Sequence, residues 1–252
     1  MASERPARLD LSRPRTYGEL LQTSLQLFGR HADVLLTLTL VLVAPAVLVV
    51  DGIWGRALAD GPDADPSLAS QGVSAALSVF VILPLVTAST ALLVRDLGTG
   101  TAPHDVGPAL RAGAQVFPRV LGAVVLYAIA CLAGFVLFVV PGIWIAIRCY
   151  FAAQAAAIDE VGAADAMRRS SELVQGKWWR TASCLVATAL LFGLLGSIAT
   201  SAFAASGSGA LFVAGAAVVE AVVLSLTAIF AALLFFDLRA RATTPRVDTM
   251  GP

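Results

Sequence analysis

The sequence predicts an all-α, polytopic membrane protein. Of its 252 residues, 58% are hydrophobic and only 13% are charged, about half of the charged fraction of roughly 25% that is usual in soluble domains. Uncharged apolar runs recur along the chain, and they are long enough to cross a hydrocarbon core of about 30 Å. An ordinary soluble domain has no need of such runs and is therefore excluded.

Six apolar segments are predicted to span the membrane as three helical hairpins. The third and fourth segments are separated only by a short turn that contains Pro141 and Gly142. Because proline is tolerated in the first turn of a helix, this turn predicts a tight helical hairpin. The six predicted spans are Val34–Trp54, Ser67–Val94, Val120–Val140, Pro141–Ile158, Thr181–Phe203 and Ala210–Phe236.

A short amphipathic segment precedes each hairpin, and each is predicted to form a helix in the cytoplasmic membrane interface. These segments are Tyr17–Arg30, Val106–Arg119 and Ala163–Trp179. Together with the spans they define a predicted membrane domain over residues 16–240. The polar residues 1–15 and 241–252 are predicted to be disordered cytoplasmic tails.

The three amphipathic segments align with one another when the third carries one extra residue. Small residues then coincide at Ser24, Gly113 and Ser170. Each following hairpin closes with an acidic residue, at Asp96, Asp159 and Asp237. This pattern predicts three pseudo-repeats, at about 16–97, 105–160 and 163–240. Chance similarity among amphipathic helices is the alternative explanation.

Basic residues are distributed unevenly between the two predicted sides of the membrane. Fifteen lie on the side of the termini, only Arg56 lies on the other side, and Arg148 lies within a span. The positive-inside rule therefore predicts that both termini are cytoplasmic. Sixteen arginines against one lysine, with abundant alanine and valine, indicate a bacterium with a GC-rich genome and hence a bacterial cytoplasmic membrane.

Two charged residues within the predicted spans are the strongest candidates for an intramembrane polar site. A charge at the depth of Arg148 or Glu220 is costly unless it is paired or hydrated. Depth along the helices allows Arg148 to reach Glu220, and Asp51 at the outer end of the first span is a competing partner. Water or backbone carbonyls are the third possibility.

Such a pair has two interpretations. It is either a structural ion pair between hairpins or a site for a substrate or lipid headgroup, in which Arg148 offers paired donors to a phosphate. Gln154, Tyr127 and the run Thr87–Thr90 are candidates to line that cavity. They are equally compatible with ordinary hydrogen bonds between helices.

A basic and aromatic cluster follows the fourth span. Its basic residues suit an anionic leaflet, and its tryptophans suit the membrane interface, so membrane anchoring is one interpretation. Docking of a cytoplasmic partner is the other. The cluster comprises Arg168, Arg169, Lys177, Trp178, Trp179 and Arg180.

The stretch from Pro141 to Arg180 resembles the membrane-domain family found fused to some glycerophosphoryl diester phosphodiesterases. The shared elements are the Pro-Gly-Ile turn at 141–143, Glu160 with Gly162, the helix 166–180 and the closing Phe-Asp-Leu-Arg at 236–239. The departures are Met167, Val161 and Phe236. The resemblance implies a standalone membrane domain. A phosphodiesterase needs a soluble barrel with clustered histidines, and the two histidines, His31 and His104, lie far apart in the sequence.

These observations favour a non-enzymatic integral membrane module that scaffolds a partner or binds or senses lipid. The alternative is a transporter or channel for a small or lipid-like solute, centred on Arg148 and Glu220. Membrane lipids and a membrane or cytoplasmic protein are the expected partners. The sequence carries no motif for a cofactor, a metal ion or nucleic acid.

Overall fold

The computed structural model describes residues 10–11, 13–55, 57–60, 65, 67–100 and 106–243. These described residues form helices and no strand. Six of the helical segments are long and apolar enough to cross a membrane. The predicted class, an all-α polytopic membrane protein, is therefore confirmed.

The helices follow one another in an up-and-down order. Two of them continue as wider π-helical segments, Ala32–Ala46 into Val47–Trp54 and Leu68–Leu77 into Ser78–Ile82. The α-helices are α1 Tyr17–Arg30, α2 Ala32–Ala46, α3 Ala57–Asp60, α4 Leu68–Leu77, α5 Leu83–Thr99, α6 Val106–Leu137, α7 Val139–Arg148, α8 Ala152–Ile158, α9 Ala163–Val174, α10 Trp178–Ala204 and α11 Gly209–Thr243.

The second amphipathic segment does not form a separate helix. It is the first part of α6, which continues through Pro118 into the third span. A proline removes one backbone hydrogen bond without having to end a helix when neighbouring helices support it, and α6 packs along α5 here. The predicted boundary near Arg119 is therefore wrong.

The turn between the third and fourth spans lies three residues earlier than the sequence predicts. Phe138 has an extended backbone, and α7 begins at Val139, so Pro141 lies within the first turn of the helix. There its missing N–H has no helical partner to lose. Two glycines bring α6 and α7 together, because a Cβ on Gly134 would lie 2.9 Å from the Cα of Gly142.

The buried core is centred on α11, which contacts α1, α2, α5, α9 and α10. Its residues Ile229 to Phe235 are almost completely buried, and α5 and α8 pack around the same region. The hydroxyls of Thr39 and Ser225, 2.8 Å apart, join α2 to α11. Large apolar side chains of α6, α7 and α10 are exposed, as lipid-facing side chains are: Ile129, Leu132, Val140, Leu190 and Leu194.

The chain before α1 is not a free tail in the part that the structure describes. Arg15 is buried and contacts the C-terminal part of α11, so the predicted disorder up to residue 15 is wrong at this position. Residues 1–9 and 12 lie outside the described residues. At the other end α11 extends to Thr243, past the predicted boundary at 240, and residues 244–252 lie outside the description.

Each amphipathic segment packs against the second helix of a hairpin. α9 contacts α8, the first part of α6 belongs to a helix that contacts α5, and α1 contacts α11. The small residues at the aligned positions lie in these helix contacts. Ser24 and Ser170 are fully buried, and a Cβ on Gly113 would collide with Ser89. The threefold sequence repeat itself stays a prediction.

Replacing Gly134 by alanine should destabilise the α6–α7 hairpin by about 1–3 kcal/mol, because the added methyl group meets backbone atoms that cannot yield easily. Gly193→Ala is the matched control, since a Cβ there meets no atom within 4 Å. It should be neutral or stabilise α10 by roughly 0.5–1 kcal/mol. Thermal unfolding in detergent measures both, and equal effects of the two substitutions would contradict the close crossing.

Candidate functional site

Ion pairs gather at one end of the bundle, hereafter the charged end, which is defined by Arg15, Asp159, Arg180, Asp237 and Arg239. Its centre is the carboxylate of Asp237, whose side chain is 0% exposed. Oδ1 accepts from the backbone N–H of Arg15 at 2.6 Å. Oδ2 accepts from Arg180 at 3.1 Å and from Arg241 at 2.9 Å. Three separate parts of the chain therefore meet at one buried carboxylate.

The same guanidinium groups also hold the chain before α1. Arg180 and Arg241 each donate to the carbonyl oxygen of Arg15, at 2.6 and 2.7 Å. The guanidinium of Arg15 donates in turn to the carbonyl of Asp10. Burial, with Arg13 nearby, lowers the pKa of Arg15 from its ordinary value. The start of the chain is thereby fixed across the beginning of α10 and the end of α11.

Asp159 forms the second ion-pair centre of the charged end. Its carboxylate accepts from Arg239 at 2.7 Å and from Arg169 at 2.9 Å. These arginines belong to α11 and α9, so the pairs connect the end of the second hairpin to both helices. The exposed pair of Arg119 with Glu160, at 3.3 Å, adds a link from α6 to the same turn.

A break in the fourth span is closed by one serine. α7 ends at Arg148 and α8 begins at Ala152, which leaves backbone groups without helical partners. The Ser170 hydroxyl donates to the carbonyl of Arg148 at 3.0 Å and accepts from the N–H of Phe151 at 3.1 Å. α9 therefore folds back along α8, and its serine satisfies both ends of the break.

Arg148 points to α9 and not to the acids of the other spans. Its Nε donates to the Ser171 hydroxyl at 2.5 Å, and its guanidinium lies 4.5 Å from the ring centre of Trp144. Among the described residues Arg148 forms no ion pair with Glu220 or Asp51, so the predicted pairings are not formed. The depth argument compared distances along the spans only and left out α9, whose serines contact the break.

The two acids lie near each other instead. Glu220 belongs to α11, which packs against the π-helical segment after α2 that carries Asp51. The Ser74 hydroxyl of α4 donates to Asp51 at 3.5 Å. The structure thus brings together two of the four residues predicted for one polar site and separates them from Arg148.

Most basic residues of the basic and aromatic cluster form ion pairs or hydrogen bonds within the protein. Arg169 and Arg180 pair with Asp159 and Asp237, and the Lys177 ammonium donates to the carbonyl of Leu238 at 3.4 Å. Burial and the nearby Arg241 guanidinium lower the pKa of Lys177. These three residues therefore hold the hairpins together at the charged end.

The remaining members of the cluster are more exposed. Arg168 lies on the outer face of α9, 3.8 Å from both Asp165 and Glu172. The Trp179 ring is 81% exposed and meets the partly buried Trp178 edge to face, with ring centres 4.7 Å apart.

Gln154 lies in a cavity between α5, α6 and α8. The cavity has a volume of about 250 Å³, and Thr87 and Tyr127 line it as predicted. Arg148 is not among its lining residues. The Gln154 side chain is only 3% exposed, and its Oε1 has no hydrogen-bond partner. Of the predicted lining residues, Gln154, Tyr127 and Thr87 therefore meet, without a charged group, whereas Ser89 and Thr90 are not among the residues that line this cavity.

Sequence reasoning missed three contributors to these contacts. The sequence pattern places Arg15 in a tail, and it indicates only a small repeat position for Ser170 and a closing acid for Asp237. The signal for Asp237 was present, since an acid that closes an apolar span beside arginines needs partners. No local signal marked Ser170, because its two backbone partners lie 19 and 22 residues away.

The fold and the charged end define the chain as a polytopic helical membrane protein. Comparisons with protein families, with curated proteins and with solved structures found no match. The resemblance to the phosphodiesterase-associated membrane domain therefore stays a prediction.

Asp237→Asn should lower the free energy of unfolding by about 2–3 kcal/mol, because it leaves guanidinium groups facing a neutral, buried partner. Asp165→Asn is the matched control. Asp165 is 63% exposed and 3.8 Å from Arg168, and an exposed pair of this kind contributes about 0–1 kcal/mol. Denaturation in detergent compares the two variants. A loss of unfolding free energy no larger than that of the control would show that the Asp237 carboxylate does not stabilise the fold.

A double-mutant cycle should find coupling between Arg148 and Ser171 of about 1 kcal/mol. The cycle between Arg148 and Glu220 should be additive within roughly 0.5 kcal/mol, since the two side chains share no contact. All variants carry alanine, and thermal unfolding is the measurement. Coupling of Arg148 to Glu220, and not to Ser171, would contradict this contact and would support the ion pair that the sequence predicts.

Proposed function

We propose that the chain is a non-enzymatic integral membrane module that scaffolds a protein partner at its charged end. The observation that supports this proposal is the use of the charged residues. Arg169, Arg180 and Arg239 are engaged in pairs with two acids that join separate helices. A charged end held by such pairs is a rigid platform on which a partner can dock without ordering it first.

The outer face of α9, together with Trp179, is the proposed docking surface. Asp165, Arg168 and Glu172 place both signs of charge on it. A face of mixed charge attracts an anionic lipid surface weakly, because each basic group is already close to an acid. It suits the complementary charge pattern of a protein, and an exposed tryptophan is typical of the residues that anchor protein interfaces.

The proposal includes a location and an orientation. The segregation of basic residues toward the side of the termini supports a bacterial cytoplasmic membrane with both termini in the cytoplasm. The charged end then faces the cytoplasm, where the partner is expected. The resemblance of residues 141–180 to the phosphodiesterase-associated membrane domain agrees with a module that works beside another protein.

A transporter or channel for a small or lipid-like solute is the second candidate function. Two cavities support it, with volumes of about 240 and 250 Å³. Both are lined by Tyr127 and Tyr150, so a movement of these two rings would connect them. The solute path would then run beside the tyrosines and not between Arg148 and Glu220.

Photocrosslinking in native membranes tests the scaffold proposal. A photoreactive amino acid at Glu172, on the exposed face of α9, should give a discrete protein adduct identified by mass spectrometry. The same amino acid at Leu190, which is 69% exposed on the apolar surface of α10, is the matched control and should give lipid adducts.

The adducts formed at Glu172 decide between docking of a protein partner and membrane anchoring. A single protein adduct that is absent at Leu190 supports the scaffold. Only lipid adducts at both positions, with the protein intact in the membrane, would contradict it. They would shift the interpretation of the outer face of α9 to membrane anchoring.

A further inference from the structure

A buried polar atom without a hydrogen-bond partner lies at the cavity that contains Gln154. Gln154 Oε1 is buried and accepts no hydrogen bond, although buried carbonyl oxygens are almost always paired. The hydroxyl of Tyr127 is already used, since it donates to the carbonyl of Ala146 at 3.1 Å. The side chain of Gln154 thus provides a buried acceptor without a donor at the wall of this cavity.

The break in the fourth span determines the position of this acceptor. Ser170 fixes Phe151, the residue before α8, and the helix that follows places Ala153 and Gln154 at the cavity. Tyr150, within the break, lines the same cavity. The site therefore rests on a fixed backbone and does not depend on a mobile loop.

The other walls restrict the chemistry of an occupant. The ten lining residues include no aspartate, glutamate, lysine, arginine or histidine. Most of them are aliphatic: Val79, Leu83, Val124, Ala128, Ala152 and Ala153. An ion would lose its hydration here without gaining a counter-charge. The other four lining residues, Thr87, Tyr127, Tyr150 and Gln154, carry uncharged polar groups, so the cavity suits an occupant with a neutral polar group and an apolar body.

The mouth of the cavity lies on the lateral surface of the bundle. Val79 and Leu83 line it and are also exposed on the apolar surface, where membrane lipid is the surrounding medium. A ligand can therefore enter sideways from the membrane.

We infer that this cavity binds an uncharged lipid whose hydroxyl group donates a hydrogen bond to Gln154 Oε1. The apolar body of the lipid lies against α5 and α6 and leaves between Val79 and Leu83. A neutral hydroxyl supplies the donor that the carbonyl lacks, and an acyl or alkyl chain matches the aliphatic walls. This site is independent of the proposed protein partner, because it lies within the spans and away from the outer face of α9.

The test uses the purified full chain in phosphatidylcholine nanodiscs. The probe is hexadecanol that carries a photoreactive diazirine, and the comparison is the corresponding hexadecanoic acid. Peptide mapping should place the alcohol adducts on the residues that line the cavity. At about pH 9, where the acid is ionised in the membrane as well, it should label these residues far less, because its carboxylate offers no donor and would be buried unpaired.

Two variants and a matched control locate the site. Gln154→Leu should lower alcohol labelling about tenfold, the change expected on losing one hydrogen bond to a buried polar group. Ala128→Phe should lower it as well by filling the cavity. Ala189→Phe makes the same substitution in the neighbouring cavity, which Gln154 does not line, and should leave labelling unchanged.

Several results would overturn the inference. They are equal labelling by the alcohol and the acid, alcohol adducts spread over the apolar surface, or unchanged labelling in Gln154→Leu. The comparison of alcohol with acid needs only the wild-type chain, so it decides even where a variant folds poorly. Thermal unfolding should show that Gln154→Leu is at least as stable as the wild type, since it removes an unpaired buried carbonyl.

Discussion

The buried carboxylate of Asp237 is the constraint on which the charged end depends. A carboxylate removed from water must be fully provided with donors, or the fold loses several kcal/mol. The backbone N–H of Arg15 and the guanidinium groups of Arg180 and Arg241 provide them. These donors come from the chain before α1, from α10 and from α11. One side chain thereby determines how the first and last parts of the membrane domain meet.

The break in the fourth span follows the same physical rule at the level of the backbone. Free N–H and C=O groups within a membrane-spanning region must find partners inside the protein. Ser170 supplies both with one hydroxyl, and Arg148, at the edge of the break, finds Ser171 and Trp144. The most unusual charge in the spans is therefore satisfied by the helix that closes the break.

These contacts divide the polar residues into those that stabilise the fold and those that are available for binding. The arginines of the charged end hold helices together, and Arg148 supports the break. The Oε1 of Gln154 is among the buried polar atoms without a protein partner in the described part of the chain, and it lies at a largely aliphatic cavity that reaches the lateral surface. The exposed features are the mixed-charge face of α9 and the Trp179 ring. The proposed docking surface for a partner and the inferred acceptor for a neutral lipid therefore lie in different parts of the same bundle.

The sequence by itself determined the class of the fold and the number of spans, because apolar runs and their length are local properties. It also indicated that Gln154, Tyr127 and Thr87 could line a cavity. It failed at the helix boundary near Arg119, where packing of neighbouring helices outweighs the local proline signal. It also misplaced the boundary near Pro141, because a proline is tolerated at any position of the first turn and does not fix where the helix begins. The partners of Arg148 and Asp237 were decided only by the tertiary structure. A side chain at the end of a helix can reach several elements, and only the path of the backbone, with α9 folded back along α8, selects among them.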